Sequence, residues 1–395
     1  MDKRPNTDRI KVMSIFGTRP EATKMAPLIL ELNQNPRIES VVTVTAQHRE
    51  LLDPVLSLFH IAPDYDLNIM RRGQTLTSIA VRVLEGLEKV LSEAKPDLVL
   101  VHGDTSSAFT GALSAYYAKI PVAHVEAGLR TYDKYSPFPE EMNRRLISPI
   151  ADMHFCPTPA SAENLRREHC GGQIYITGNT AIDTVHMLAQ KNYVFRMPFL
   201  NDPALDGRKI IFMTAHRREN YGAPLVSIMR AVKSLVEQFD DIEVVYPMHL
   251  SPVVRETATA ILGGTARVHL CEPLLVDDSI NLIRKSYLVL TDSGGLQEEA
   301  PSLGKPVLVL RAETERPEAV DAGTVSLIGS DENRIINAAT QLLTDAAAYE
   351  KMSRAVNPYG DGFASRRIAQ AILHHFGYGD APDTFAPKGI APYQA

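Results

Sequence analysis

Ile10-Lys11-Val12-Met13-Ser14-Ile15-Phe16 runs directly into Gly17-Thr18-Arg19-Pro20-Glu21 and on through an amphipathic stretch over residues 21–33. The first seven residues are β-prone and almost continuously apolar, as expected of a strand covered on both faces in a parallel sheet. Gly17 permits a tight turn, and Pro20 suits the first helical position. A strand–turn–helix unit of this kind, repeated, builds a doubly wound α/β layer. Strands are predicted again at 41–45, 98–101, 121–125, 153–156 and 174–177, with helices over 76–92 and 106–118. The same grammar restarts with strands at 210–213, 242–246, 267–270, 287–290 and 307–310. Helices over 224–239, 251–262, 296–303, 332–343 and 364–374 accompany them.

A chain of 395 residues exceeds what one hydrophobic core usually covers. The fold class is therefore α/β, with two Rossmann-like doubly wound parallel-sheet domains, residues 1–180 and 181–363, and a cleft between them. Residues 377–395, rich in Gly, Pro and Ala, read as a flexible tail. A formal charge of −6 gives no bulk attraction to nucleic acid or to anionic membranes. No apolar run reaches the ~18 residues of a membrane span. Residues 1–11 lack the apolar core of a secretory signal, so a cytoplasmic location is expected. Three scattered cysteines make neither a disulfide framework nor a zinc site.

Ligands of open parallel sheets bind beyond the carboxyl ends of the strands, so the residues that follow each strand matter most. Arg19 and Lys24, at the start of the first helix, would make an anion site. His102-Gly103-Asp104-Thr105, His124-Val125-Glu126-Ala127-Gly128 and Pro137-Phe138-Pro139-Glu140-Glu141 bring Asp104, Glu126 and Glu140 to one rim. Crowded carboxylates raise one another's pKa, which suits them to general acid and base work. Asp104, just before a helix, also reads as an N-cap. In the second half His216 stands between Ala215 and Arg217-Arg218, where it suits phosphate recognition or proton transfer. Asp292-Ser293-Gly294-Gly295-Leu296-Gln297-Glu298-Glu299 strips bulk from a strand–helix turn and leaves bare N–H groups for a diphosphate. Glu298 and Glu299 would accept sugar hydroxyls. There is no GxGxxG fingerprint, P-loop, HExxH or GxSxG elbow.

Taken in order, Phe16-Gly17-Thr18-Arg19-Pro20-Glu21-Ala22, Gln47-His48-Arg49, the Asp104, Glu126 and Glu140 motifs, Gly178-Asn179-Thr180, the segment from His216 to Asn220, that from Asp292 to Pro301 and that from Thr314 to Glu318 form a series. The series resembles the bacterial non-hydrolysing UDP-N-acetylglucosamine 2-epimerases, and the match runs from about Lys11 to about Phe376. The resemblance implies a GT-B architecture with an interdomain active site, a homodimer, and a last helix near 364–376 that packs back on the first domain. It implies interconversion of UDP-GlcNAc and UDP-ManNAc with no cofactor and no metal, and a UDP-sugar as the only partner besides a second copy. Asp104, Glu126 and Glu140 would then carry the proton transfers and His216 would assist the leaving diphosphate. Arg19, Lys24, Arg144, Ser293, Gly294, Gly295, Glu299 and Arg316 would hold the nucleotide sugar.

Two departures bear on that reading. No aromatic follows Pro273-Leu274 before Tyr287, so uracil stacking must come from elsewhere. Gln47 and His249 remain as members of a possible second, activating UDP-GlcNAc site, yet Glu50 and Gly73 stand where regulated relatives carry a glutamine and an arginine. Loss of a cation weakens a diphosphate site, so weak activation is expected. The alternatives are a hydrolysing epimerase that releases ManNAc and UDP, a GT-B glycosyltransferase, and a non-catalytic sugar-nucleotide sensor.

Overall fold

The computed structural model describes residues 9–71 and 73–387. They form two compact units, one built from the chain up to Met187 together with Tyr359–Ala386, the other from Leu188–Pro358. The first division falls between Met187 and Leu188 and the second between Pro358 and Tyr359, later in the one case and earlier in the other than the expected 180/181 and 363/364.

The first unit holds seven strands: β1 Ile10–Phe16, β2 Ile38–Val44, β3 Tyr65–Asp66, β4 Leu98–His102, β5 Val122–Val125, β6 Met153–Cys156 and β7 Gln173–Ile176. Their spatial order is β3-β2-β1-β4-β5-β6-β7, and every pairing is parallel. The chain therefore winds one way from β1 to β3 and the other way from β4 onward, which opens a crevice at the carboxyl ends of β1 and β4. Met13, Ile15, Val99 and Val101 pack against Val83 and Leu87 of the helix Leu76–Ala94 and against Ala108 and Ala112 of the helix Ser106–Tyr117. The helix Ala364–His375 begins on the buried Asp183, whose carboxylate accepts from the N–H groups of Ala364 (3.2 Å) and Ser365 (2.7 Å).

The second unit repeats the plan with β8 Lys209–Thr214, β9 Ile242–Pro247, β10 Val268–Cys271, β11 Leu288–Thr291, β12 Val307–Val309 and β13 Val325–Leu327. Their order is β10-β9-β8-β11-β12-β13, again wholly parallel. Ile211, Met213, Val244, Leu288 and Leu290 meet Ile228, Val232 and Leu235 of the helix Ala223–Gln238 in its core. Among the described residues no helix is long and apolar enough to cross a membrane.

The α/β reading thus holds for both sheets. The expected tail needs correction over its described part. Phe385 is buried, its N–H donates to the Ile176 carbonyl at 2.8 Å, and the Arg367 guanidinium lies 5.5 Å from its ring centroid. An aromatic anchor and an added strand-end hydrogen bond hold this segment against β7. Residues 388–395 lie outside the described residues.

Gly128 shows how tightly the turn after β5 is packed. Its φ is +87°, and a Cβ there would stand 2.1 Å from the carbonyl oxygen of Ser161. Gly128→Ala combines backbone strain with overpacking and is expected to destabilise the first unit by about 2 kcal/mol or more. Urea unfolding followed by far-UV circular dichroism measures this, and an unchanged midpoint would contradict the packing described.

Candidate active site

Three strand ends of the first unit carry the acidic rim. At the end of β1, a Cβ on Gly17 would lie 1.8 Å from Thr45 Oγ1, so only glycine lets the chain turn here against β2. The helix Arg19–Gln34 follows, with Arg19 exposed in its first turn. Glu21 is buried. Its carboxylate accepts from the N–H groups of Gly17 (3.1 Å) and Thr18 (2.8 Å) and from the Thr105 hydroxyl (2.7 Å). Burial pushes its pKa up to about 7 in spite of those hydrogen bonds.

At the end of β4, Gly103 takes a left-handed φ of +64°. The buried His124 fixes that turn, with Nε2 2.7 Å from the Gly103 carbonyl. The helix Ser106–Tyr117 is capped by Thr105, whose Oγ1 accepts from the Ala108 N–H at 3.0 Å. Asp104 is therefore not the cap that its position also suggested. Its Oδ2 instead accepts from Arg144 Nη2 at 2.5 Å, and Asn143 Nδ2 donates to its carbonyl at 2.8 Å.

At the end of β5, Glu126 has a φ of +61°, a conformation that costs a residue with a Cβ on the order of 1–3 kcal/mol and is concentrated at functional sites. Its Oε2 accepts from Lys24 Nζ in a short ion pair and from Asn179 Nδ2 at 3.0 Å, with His102 Nε2 3.9 Å away. The chain then loops out to the helix Glu140–Ile147. It is stapled by the buried Glu141, which accepts from the N–H groups of Thr131 (3.0 Å) and Tyr132 (3.1 Å). Glu140 opens that helix half-buried. Burial raises its pKa, and the nearby Asp104 adds to the rise while Arg144 opposes it. Mutual repulsion of carboxylates is thus present at Glu140, but desolvation is the larger cause.

In the second unit the pivot is Asp292, fully buried just after β11. Its Oδ2 accepts from the N–H groups of His216 (2.7 Å) and Arg217 (2.8 Å) and from Asn220 Nδ2 (3.0 Å). Its Oδ1 stands 3.5 Å from His216 Nδ1. The carboxylate thereby sets both the turn after β8 and the orientation of the His216 ring, which stacks on His249 with centroids 5.3 Å apart. The helix Gly294–Ser302 begins immediately after Ser293 and presents its first N–H groups beside this turn. The Arg316 guanidinium carbon is 3.1 Å from the Cβ position of Gly294, and Glu299 Oε1 is 3.3 Å from that of Gly295. The glycines thus admit both side chains. Arg316 Nε donates to the buried Glu298 at 2.7 Å, and its Nη1 is 3.1 Å from Glu315 Oε1. Burial alone would raise the Glu315 pKa, but Arg316 and Arg311 hold it at about 2.

The expected residues accordingly fall into two sets. Asp104, Glu126, Glu140, Arg19, Lys24 and Arg144 gather in the first unit, and His216, Ser293, Gly294, Gly295, Glu299 and Arg316 in the second. Lys24 and Arg144, expected on the substrate, have protein partners in Glu126, Asp104 and Glu141. Glu298, expected to face a sugar, is paired with Arg316. Gln47 is buried, and its Oε1 accepts from Ser107 Oγ at 2.8 Å. Sequence reasoning gave no role to Glu21, Asn179 or Asp292, although each stands inside a quoted motif. Among the described residues no cluster of three or more His, Cys, Asp or Glu side chains is arranged to hold a metal ion.

Residues 30–373 match the family model described as UDP-N-acetylglucosamine 2-epimerase. The chain is 55% identical over 382 residues to the UDP-N-acetylglucosamine 2-epimerase of Bacillus subtilis strain 168, covering 96% of this chain and all of that one. It is 52% identical over 374 residues to the enzyme of that name from Escherichia coli K12, covering 93% and 99% respectively. Its structure is similar to that of UDP-GlcNAc 2-epimerase from Neisseria meningitidis bound to UDP-GlcNAc. That pair has a TM-score of 0.84 and 49% identity, covering 92% of this chain and all of that one.

The histidines of β4 and β5 are held neutral. Burial drives the pKa of His102 down to about 4, with Glu126 opposing the drop and Lys24 adding to it; burial takes His124 down to about 3. A histidine with a depressed folded-state pKa contributes stability above its ordinary value of 6.5, and that contribution is lost as pH falls toward the folded value. His102→Gln is therefore expected to reduce the loss of stability between pH 7.5 and 4.5 by on the order of 2–3 kcal/mol. Urea midpoints of both proteins at the two pH values decide it, and parallel acid limbs would contradict the assignment.

Proposed function

The chain belongs to the UDP-N-acetylglucosamine 2-epimerase family, and from that premise we propose that it interconverts UDP-GlcNAc and UDP-ManNAc without net hydrolysis. In the proposed course a carboxylate removes the proton from carbon 2 of the sugar. The C1–O bond to the diphosphate breaks, and its electron pair leaves with UDP. The sugar is left as a 2-acetamidoglucal with a C1=C2 double bond. UDP then adds back to C1 while a proton is delivered to carbon 2 from the opposite face. Atoms and charge balance over the cycle, and no redox partner is needed.

The observation that carries this reading is the acidic rim at β4 and β5. Glu126 sits on a strained backbone with Lys24 and Asn179 at its carboxylate, and Asp104 and Glu140 stand nearby, the latter with a raised pKa. A carbon acid needs a positioned base on one face and an acid on the other, both near neutral pKa. The turn with Ser293, Gly294 and Arg316 supplies N–H groups and positive charge suited to a departing diphosphate, and His216, oriented by Asp292, suits proton transfer to it. The UDP-GlcNAc bound in the Neisseria relative supports the choice of nucleotide sugar. The family resemblance carries with it a homodimer working in the cytoplasm.

Incubation with UDP-GlcNAc in deuterated water, with chelator and no added NAD, tests the mechanism. The expected product is UDP-ManNAc bearing deuterium at carbon 2, seen by NMR. Free ManNAc with UDP indicates the hydrolysing reaction, and an unchanged sugar overturns the epimerase reading. Asp104→Asn, Glu126→Gln and Glu140→Gln are each expected to lower kcat by about 100-fold or more while UDP affinity stays near that of wild type. Wild-type turnover in all three would remove the acid–base assignment.

We propose further that activation by a second UDP-GlcNAc is weak. The oxygen of Gln47 already accepts from Ser107, and the exposed Gly73 offers no side chain to a diphosphate. UDP-ManNAc supplied alone should then be turned over without a lag. Inertness until UDP-GlcNAc is added would refute the proposal.

A further inference from the structure

Glu21 is fully enclosed although it lies three residues into a helix whose first turn also carries the exposed Arg19 and Pro20. Its two oxygens serve different turns. Oε2 takes the N–H groups of Gly17 and Thr18 and so closes the turn after β1. Oε1 takes the hydroxyl of Thr105, 84 residues away, at the turn after β4. A capping box explains the first half of this arrangement, because a glutamate at that position normally folds back on its own helix start. It does not explain the second half, nor why the carboxylate is removed from water at a cost that lifts its pKa to about 7.

We propose that Glu21 is a positioning residue of the epimerisation site, bridging the turn that presents Arg19 and Lys24 to the turn that presents Asp104. The inference rests on the epimerase reading above and assigns to that reaction a residue remote from the reacting atoms. Thr105 is the joint. It donates to Glu21, accepts from the Ala108 N–H, and is covalently next to Asp104, whose side chain and carbonyl are held by Arg144 and Asn143. Lys24, one turn beyond Glu21 on the same helix, reaches Glu126. One buried carboxylate therefore sets the spacing between the cations of the first helix and the acids at the ends of β4 and β5.

The N–H groups of Gly17 and Thr18 can only donate, so these two contacts favour the ionised carboxylate. Arg19 and Lys24 lie on its own helix. Facing turns carry His48 after β2, His102 and Asp104 at the end of β4, and Glu126 after β5. Because these also titrate, the pH dependence due to Glu21 is read as the difference between wild type and Glu21→Gln.

The test uses the full chain and initial rates with UDP-GlcNAc, after deuterium incorporation by the wild type has been checked. Glu21→Gln and Thr105→Val should each lower kcat by about 10- to 100-fold with KM within about threefold, the signature of misplacement and not of lost binding. The double variant should be no slower than the slower single one, since both cut the same bridge. Thr105→Ser, which keeps the hydroxyl, should stay within about twofold of wild type. The wild-type kcat should rise with pH through about 7, and that limb should be absent from Glu21→Gln. Thermal unfolding of each variant corrects for the cap that Thr105→Val also removes. Wild-type kcat and pH profile in Glu21→Gln, or losses that add in the double variant, would overturn the bridge alone. A wild type that exchanges no deuterium would overturn the epimerase reading and the bridge with it.

Discussion

A carboxylate packed at the carboxyl edge of a buried parallel sheet needs hydrogen-bond donors to meet it there, and most of this structure's functional geometry follows from that requirement. Three solutions recur. Asp292 is met by two backbone N–H groups and an asparagine amide. Asp104 and Glu126 are met by the cations Arg144 and Lys24. Glu21 is met by two backbone N–H groups and a hydroxyl. Backbone donors are fixed in space and neutral, so they hold a charge without cancelling it. Cations cancel it and can be drawn away by a stronger anion.

That difference sorts the residues by task. Asp292 and Glu21 are buried and hold turns, and their donors belong to those turns. Glu126 and Asp104 stand where strand ends open, with partners on long side chains. The arrangement also revises the source of positive charge for a diphosphate. In the first unit Lys24 and Arg144 already have acidic partners and Arg19 is exposed; in the second, Arg316 has its own two glutamates beside the helix start at Gly294. An anion approaching the rim of either unit would compete with ion pairs already formed there.

The sheets were legible because strands covered on both faces are continuous apolar runs, and eleven of the thirteen strands coincide with predicted segments, including the partly buried edge strands Gln173–Ile176 and Val268–Cys271. The two that were not predicted, Tyr65–Asp66 and Val325–Leu327, are edge strands too short to leave a pattern. The helix Arg49–Leu58 escaped because Pro54 interrupts its sequence, and Glu140–Ile147 because it is only eight residues long and four of them are charged. At the site, motif position identified which residues stand at the rim but not which of them pair. Thr105 and not Asp104 caps its helix, and Lys24 meets Glu126 across 102 residues of sequence. Such pairings are long-range facts that no local pattern encodes. Phe385 was lost in the same way, as a single anchor in a stretch whose composition reads as loose.

The buried titratable groups also explain why a site so densely charged can sit on a stable sheet near neutral pH. Glu21 has its pKa raised by burial, so the folded unit binds a proton that the unfolded chain would lose, and its contribution to stability declines as pH rises from 4.5 through about 7. His102 and His124 have theirs lowered, so their contributions decline as pH falls below 6.5. The windows overlap between about 4.5 and 6.5 while the slopes oppose, so Glu21 offsets about half of the acid sensitivity that the two histidines impose. A fold that encloses both acids and imidazoles at adjacent strand ends thus tempers the pH dependence that either kind of group would impose alone.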